Sequence, residues 1–241
     1  KISLLGVYTE TASLDSLDEC LSILTKHQPD IVIHTAGLTS VEECESNPDL
    51  AQVVNVDLAK NIALSCYIKG IKLVHISTDH LFSGDKEFTT EDKAPNPVNN
   101  YGKSKLLGER EVLENCKDAL VIRTNFYGWG TKYRQSFSDF ILNKLNNNEQ
   151  VDLFDDIFFT PILIDEIVGR VHQLITIKAS GIFNLVGNER LSKYEFGLQL
   201  AKVFGLDGNL IRPISISDRQ DLVARPRDMH LSNSKLRKIL K

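Results

Sequence analysis

Short runs of apolar residues alternate along this chain with longer amphipathic stretches. Residues 2–7, 30–35 (DIVIHT), 71–77 (IKLVHIS) and 119–124 (ALVIRT) are nearly continuous in Val, Ile and Leu. That is the pattern of strands buried on both faces of a parallel sheet. The stretches between them read as helices. One spans residues 16–27 and is closed by Pro29; a second spans 50–67, after Asn47-Pro48 and before Gly70. A third spans 99–115 and starts where the proline-restricted APNPVNN segment ends. Strand and helix alternating at this spacing predict βαβ units and a doubly wound α/β sheet.

Beyond about residue 130 the rhythm changes. Residues 136–145 read as a helix ending in an Asn-rich turn, 164–177 as another, and 181–186 (GIFNLV) as a further strand. Ser192 followed by Glu195 is a capping-box opening for a helix running to Phe204, and residues 232–240 form a short basic helix. The chain shows no internal repeat. Residues 1–130 are therefore expected to form a nucleotide-binding sheet, and residues 131–241 a smaller lobe interleaved with it.

Composition narrows the class. With 241 residues, 42% hydrophobic and 25% charged, the chain is neither disordered nor a small disulfide scaffold. A net charge of -4 argues against a nucleic-acid binder, which needs a clustered basic surface. No stretch approaches the roughly 20 apolar residues of a membrane span, so no membrane partner is expected. Cys20, Cys44, Cys66 and Cys116 show no CxxC pairing and read as buried free thiols in a reducing cytoplasm.

The sharpest chemical signal is Tyr101-Gly-Lys-Ser-Lys105. Tyr and Lys at i and i+4 share one helix face, and a lysine cation beside a tyrosine lets its hydroxyl exchange protons near neutral pH. Alone, such a pair is equally a solvated helix face. The context sharpens it, because strand 71–77 runs straight into Ser77-Thr78-Asp79-His80. Ligands of open α/β sheets bind at the carboxyl ends of their strands. Two further strands end there, in Thr35-Ala36-Gly37-Leu38-Thr39 and in Arg123-Thr124-Asn125-Phe126.

In order along the chain stand TAGLTSVEECE (35–45), VNVDLAKN (54–61), HISTDHLFSG (75–84), NPVNNYGKSKLLGE (96–109) and VIRTNF (121–126). FFTPILIDEI (158–167), GIFNLVG (181–187) and RPRDMHLS (225–232) follow. The set resembles the extended short-chain dehydrogenase/reductases, and within them the dTDP-4-dehydrorhamnose reductases and related nucleotide-sugar reductases. The resemblance implies a Rossmann-type fold with a C-terminal substrate lobe, NADPH or NADH as cofactor, and reduction of a keto group at C4 of a nucleotide-linked deoxysugar. By the same resemblance Tyr101 is the proton donor, Lys105 lowers its pKa and holds the nicotinamide ribose, and Thr78 bonds the substrate carbonyl. Thr35, Ala36, Gly37, Ser77 and Asn125 would line the cofactor. Thr39, Val41, His80 and Phe126 would meet the substrate, and Arg225, or equally Arg227, its diphosphate. A cytoplasmic enzyme of polysaccharide synthesis, possible as a homodimer, is implied.

Departures bear on the sugar. The family usually has tyrosine where this chain has His80, which could bond substrate, relay a proton, or do neither. Phe126 replaces a common Trp, keeping an apolar wall without the indole donor. Ser13-Leu14-Asp15 stands where an adenine contact is usual and is not carried over. Other features have plainer readings. The six histidines show no metal-ligand spacing, and Asp155-Asp156 reads as a turn. Trp129, with Tyr127 and Tyr133, could flank a sugar or base or sit in the lobe core; Lys235, Arg237, Lys238 and Lys241 read as a solvated face.

A dinucleotide-binding sheet also needs a glycine-rich turn after its first strand. Neither GxGxxG nor the GxxGxxG spacing occurs here, so the first βα unit is expected to lie outside the given chain. Two alternatives to the reductase stay open. One is an epimerase or dehydratase of the same superfamily, although STDHLF lacks the acid that dehydratases place after Thr-Asp. The other is a non-catalytic dinucleotide-binding subunit, as the β subunit of methionine adenosyltransferase resembles this fold.

Overall fold

The computed structural model describes residues 11–12, 14–84, 88–131 and 135–241. The strand expected over residues 2–7, together with Ser13 and Tyr133, lies outside them. The central sheet has four parallel strands in the order β1-β2-β3-β8: β1 (Ile31–His34), β2 (Lys72–Ile76), β3 (Leu120–Arg123) and β8 (Gly181–Asn184). The alternation of side chains feeds two cores, one on each face. Leu73 and Val121 pack with Cys20 of α1 (Leu17–His27), Ala63 and Cys66 of α4 (Leu58–Lys69) and Val112 of α5 (Asn100–Asn115). Val74, Leu120 and Ile122 pack on the other face with Ile167, Val171 and Leu174 of α7 (Ile164–Thr176) and Leu236 of α9 (Ser234–Ile239). Burial on both faces accounts for the unbroken Val/Ile/Leu runs.

Helix ends follow local chemistry. Ser16, Ser136 and Ser192 cap α1, α6 (Phe137–Asn146) and α8 (Lys193–Phe204) in reciprocal boxes with Glu19, Asp139 and Glu195. Gly70, at φ +64°, ends α4 in the left-handed region that glycine enters freely.

The single helix expected over residues 50–67 is instead interrupted. After α2 (Val41–Ser46), capped by Ser40, α3 (Pro48–Gln52) starts with Pro48 and the Asn47 cap, and a π turn at Val53–Asp57 precedes α4. The turn pushes the Asn55 carbonyl against α5 at Gly108, where a Cβ would lie 2.3 Å from that oxygen. Only glycine allows this approach.

A second core is built from α6, α8 and the parallel pair β5 (Val151–Phe154) and β10 (Ile211–Ile214). Phe196 is its centre, with Tyr127, Phe137 and Phe159 around it at ring-centroid distances of 5.0, 5.9 and 5.5 Å. Four short strands in two pairs lie beside it: β4 (Phe126–Tyr127) with β7 (Ile162–Leu163), and β6 (Phe158–Phe159) with β9 (Leu191–Ser192). Asp156 holds this core's edge by accepting from Ser215 Oγ at 2.6 Å and Ile216 N at 2.9 Å, a structural part that suits a turn. All four cysteines are buried and free. No helix among the described residues is long and apolar enough to cross a membrane.

Candidate active site

A cleft of about 850 Å³ opens at the carboxyl ends of β1, β2 and β3. Thr35, Gly37, Thr39 and Val41 enter it after β1; Ser77, Thr78, Asp79 and His80 after β2; Thr124, Asn125 and Phe126 after β3. Tyr101 and Lys105 come from the first turns of α5. Asn99 caps that helix by accepting from Gly102 N at 2.9 Å. Gly102 lets the helix start close to the β2 loop, since a Cβ there would lie 2.4 Å from the His80 carbonyl. The Tyr101 ring consequently meets the His80 ring edge-on, centroids 5.3 Å apart.

Lys105 is buried and its Nζ donates to the Ile76 carbonyl at 2.9 Å. Burial pulls its pKa down to about 8, opposed by the Glu109 carboxylate one turn along α5. Glu109 itself grips Arg123 with contacts of 2.7 to 3.2 Å, so a charged pair lies fully buried beneath the site. Behind Lys105, His34 and His75 face each other across β1 and β2 with Nδ1 atoms 2.9 Å apart. Such a pair shares one proton when both rings are neutral. Burial and the Lys105 charge keep them so, lowering His34 to about 4 and His75 well below its usual value.

The β2 loop carries a second charged cluster. The Thr78 hydroxyl accepts from His80 N at 3.2 Å and lies 3.3 Å from Asp79 Oδ1, to which it donates. Asp79 Oδ2 accepts from Asn125 Nδ2 at 2.6 Å. Burial raises Asp79 to about 6, while Asn125 and the Lys193 charge hold it down. Lys193, first residue of α8, sits 3.3 Å from the Phe159 ring centroid, and burial lowers it to about 8. His80 is lowered to about 3 by burial, Lys193 and Arg225.

The expected site residues thus gather at one edge, with two exceptions. Ala36 is exposed and does not line the cleft. Arg225 does not line it either; its guanidinium pairs with Glu42 of α2 and donates to the Val223 carbonyl. Phe126 and Trp129 are half or more exposed at the mouth, Trp129 with its ring edge on Phe204 rather than in a core. Lys235 is not simply solvated, since its Nζ donates to the Ile182 carbonyl at 2.6 Å.

The residues missed from the sequence are Asn55, His34, His75, Asp79 and Lys193. Asn55 Oδ1 accepts from Leu38 N at 2.8 Å, and its Nδ2 donates to Ser104 Oγ at 2.9 Å, tying the cleft's β1 loop to α5. The available signal was the VNVDLAKN motif (54–61), which carried the resemblance without a role for Asn55.

A cofactor fits this cleft on its own chemistry. Ser77 Oγ, Thr124 Oγ1 and His80 Nδ1 are buried there without a hydrogen-bond partner among the described residues, although buried polar atoms are nearly always paired. Gly37 leaves the loop after β1 without side-chain bulk, Asn55 Oδ1 lying 3.2 Å from where a Cβ would be. A polar ligand in the cleft would offer those orphaned groups hydrogen-bond partners.

A parallel sheet whose strand ends and adjoining helix α5 bring Thr78, Tyr101 and Lys105 to one cleft defines an NAD(P)-dependent oxidoreductase of the extended short-chain dehydrogenase/reductase type. The chain belongs to the RmlD substrate binding domain family, whose model matches residues 1–241. The dTDP-4-dehydrorhamnose reductase of Bacillus anthracis, solved in complex with NADP, superposes with a TM-score of 0.88 at 28% identity, over 95% of this chain and 80% of that one. The "Probable low-salt glycan biosynthesis reductase Agl14" of Haloferax volcanii is 32% identical over 87% of this chain and 71% of its own length. The methionine adenosyltransferase 2 subunit beta of Bos taurus is 32% identical over 89% of this chain and 66% of its own.

Proposed function

We propose that this protein reduces the C4 keto group of a deoxysugar carried on a nucleoside diphosphate, for the synthesis of a cell-surface polysaccharide. The observation that carries the reading is the meeting of Thr78, Tyr101 and Lys105 in one cleft at the strand ends. Bound NADPH or NADH would supply the hydride, held by Thr35, Gly37, Ser77, Lys105 and Asn125. As the carbonyl oxygen gains charge, Tyr101 gives it the phenolic proton. Lys105, cationic at pH 7 by its lowered but still sufficient pKa, stabilises the phenolate left behind. Thr78 orients the carbonyl, and Thr39, Val41, His80 and Phe126 border the sugar. Arg225 reaches the diphosphate by exchanging the Glu42 carboxylate for phosphate oxygens.

In this reading residues 1–130 hold the dinucleotide and residues 131–241 the sugar nucleotide, and the protein works in the cytoplasm, as a homodimer. The interleaving is seen in β8, which pairs with β3 of the central sheet, and in α7, which packs on that sheet, both from the second stretch. Incubation of dTDP- and GDP-linked 4-keto-6-deoxysugars with reduced nicotinamide tests the reaction. Loss of nicotinamide absorbance with formation of the hydroxy sugar is expected; no consumption with any of them ends the reading. The β-subunit relatives support a second reading, a dinucleotide-binding partner subunit. In that case Tyr101→Phe leaves the partner's behaviour unchanged, whereas a reductase loses turnover.

A further inference from the structure

We propose that Asp79 is a positioning residue of the reductase site: by taking the Asn125 amide N–H, with Lys193 as its counter-charge, it makes Asn125 present a hydrogen-bond acceptor to the cleft. The inference rests on the reductase reading for its kinetic consequence but not for its geometry. Asp79 Oδ2 lies 2.6 Å from Asn125 Nδ2, and an ionised carboxylate can only accept. The orientation of the amide is therefore dictated by chemistry. With one Nδ2 hydrogen given to Asp79, Oδ1 is the acceptor that this orientation leaves to Asn125, which lines the cleft.

The carboxylate is fully buried, and an isolated buried charge is costly. Lys193 offsets that cost, although it belongs to α8 of the second core, with its ammonium above the Phe159 ring. A buried carboxylate, favoured by a lysine charge from the second core, thus sets the polarity of one uncharged side chain. Oδ1 selects ligands that offer an N–H or O–H at this point: a carboxamide NH2 or a sugar hydroxyl. A ligand that offers only a carbonyl or ether oxygen there meets lone pair against lone pair and is disfavoured. Asp79 also competes for the Thr78 proton, at the longer distance of 3.3 Å. That contact is loose enough for Thr78 to turn to a substrate carbonyl.

Asp79→Asn keeps the shape but frees the Asn125 amide to rotate. The expected result is a fall of about tenfold in kcat/KM, the scale of one charge-assisted hydrogen bond, with a lower melting temperature because the Lys193 ammonium loses the charge that favours it. The exchange variant Asp79→Asn with Asn125→Asp restores the N–H to carboxylate contact in reverse and leaves an acceptor oxygen towards the cleft. It should recover most of the lost kcat/KM. Wild-type kinetics in Asp79→Asn, or an exchange variant no better than the single one, would overturn the proposal. The Asn125 side-chain amide resonances in the ligand-free protein give a readout independent of turnover. They should be slow to exchange with solvent in the wild type and fast in Asp79→Ala; equal exchange in both also overturns it. A protein that reduces no 4-keto sugar nucleotide yet shows this exchange pattern defeats the reductase reading alone.

Discussion

The two sides of the molecule are packed by different chemistry. Beneath the cleft, the sheet and α5 bury His34, His75, Lys105, Glu109 and Arg123, and the loop after β2 buries Asp79. The second core, around Phe196, is almost wholly apolar and aromatic. An apolar core stabilises by area removed from water and tolerates many arrangements. A buried polar network contributes little net stability, but it fixes each partner in one geometry, because any lost contact leaves an orphaned charge. The catalytic side is thus built for placement and the other for cohesion, and the Lys193 charge, seated on the Phe159 ring, acts from the second on Asp79 of the first.

The widest separation between the two should come from Tyr101→Phe. Turnover is expected to fall by roughly two to four orders of magnitude, as for loss of a positioned proton donor, while thermal unfolding barely moves. Steady-state kinetics beside calorimetry reads both. Next come one deletion in each region. Phe196→Ala should cost about 3–5 kcal/mol by opening a cavity among the aromatic rings. Glu109→Gln should cost a similar amount, about 3–5 kcal/mol, by leaving Arg123 unpaired. Denaturant melts measure both. Only Glu109→Gln should also alter the pH profile, because Glu109 supports the charge on Lys105.

That profile is the third test. Lys105 titrates near pH 8, so activity should fall as the pH rises through about 8 and the cation beside Tyr101 is lost. In Glu109→Gln the fall should begin at lower pH; an unmoved alkaline limb would count against Lys105 as the supporting charge.

The smallest expected effect is acid sensitivity. His34, His75 and His80 are held below the free-imidazole value of about 6.5, so from there down to about pH 4 the unfolded chain binds more protons than the folded one. Their stability contribution is complete above pH 6.5 and drains away as the pH falls. Asp79, raised to about 6, acts in the opposite sense between pH 6 and 4. Three groups against one predict a net loss of stability on going from pH 7 to 5. His34→Asn should blunt that loss without the same effect from any substitution in the aromatic core.

What could be read from the sequence was what local chemistry governs. Strands announced themselves by continuous Val/Ile/Leu because both faces of a parallel sheet are covered. Ser16, Ser136 and Ser192 marked helix starts because a cap needs only its own first turn. Tyr101 and Lys105 were legible because a helix fixes their spacing, and Thr78 because it follows a strand. The π turn at Asn55 was not, since the segment it packs against, α5 at Gly108, lies far away in the chain. Nor could the sequence pair His34 with His75 or bring the Lys193 charge to bear on Asp79, because strand register and the docking of two cores set those distances. It placed Arg225 near a diphosphate by resemblance; the tertiary structure set it against Glu42. The sequence by itself determined which segments become strands and helices and which residue types stand at the strand ends. Only the tertiary structure decided which buried charges face one another, because electrostatic partners are chosen by distance in space and burial, not by separation along the chain.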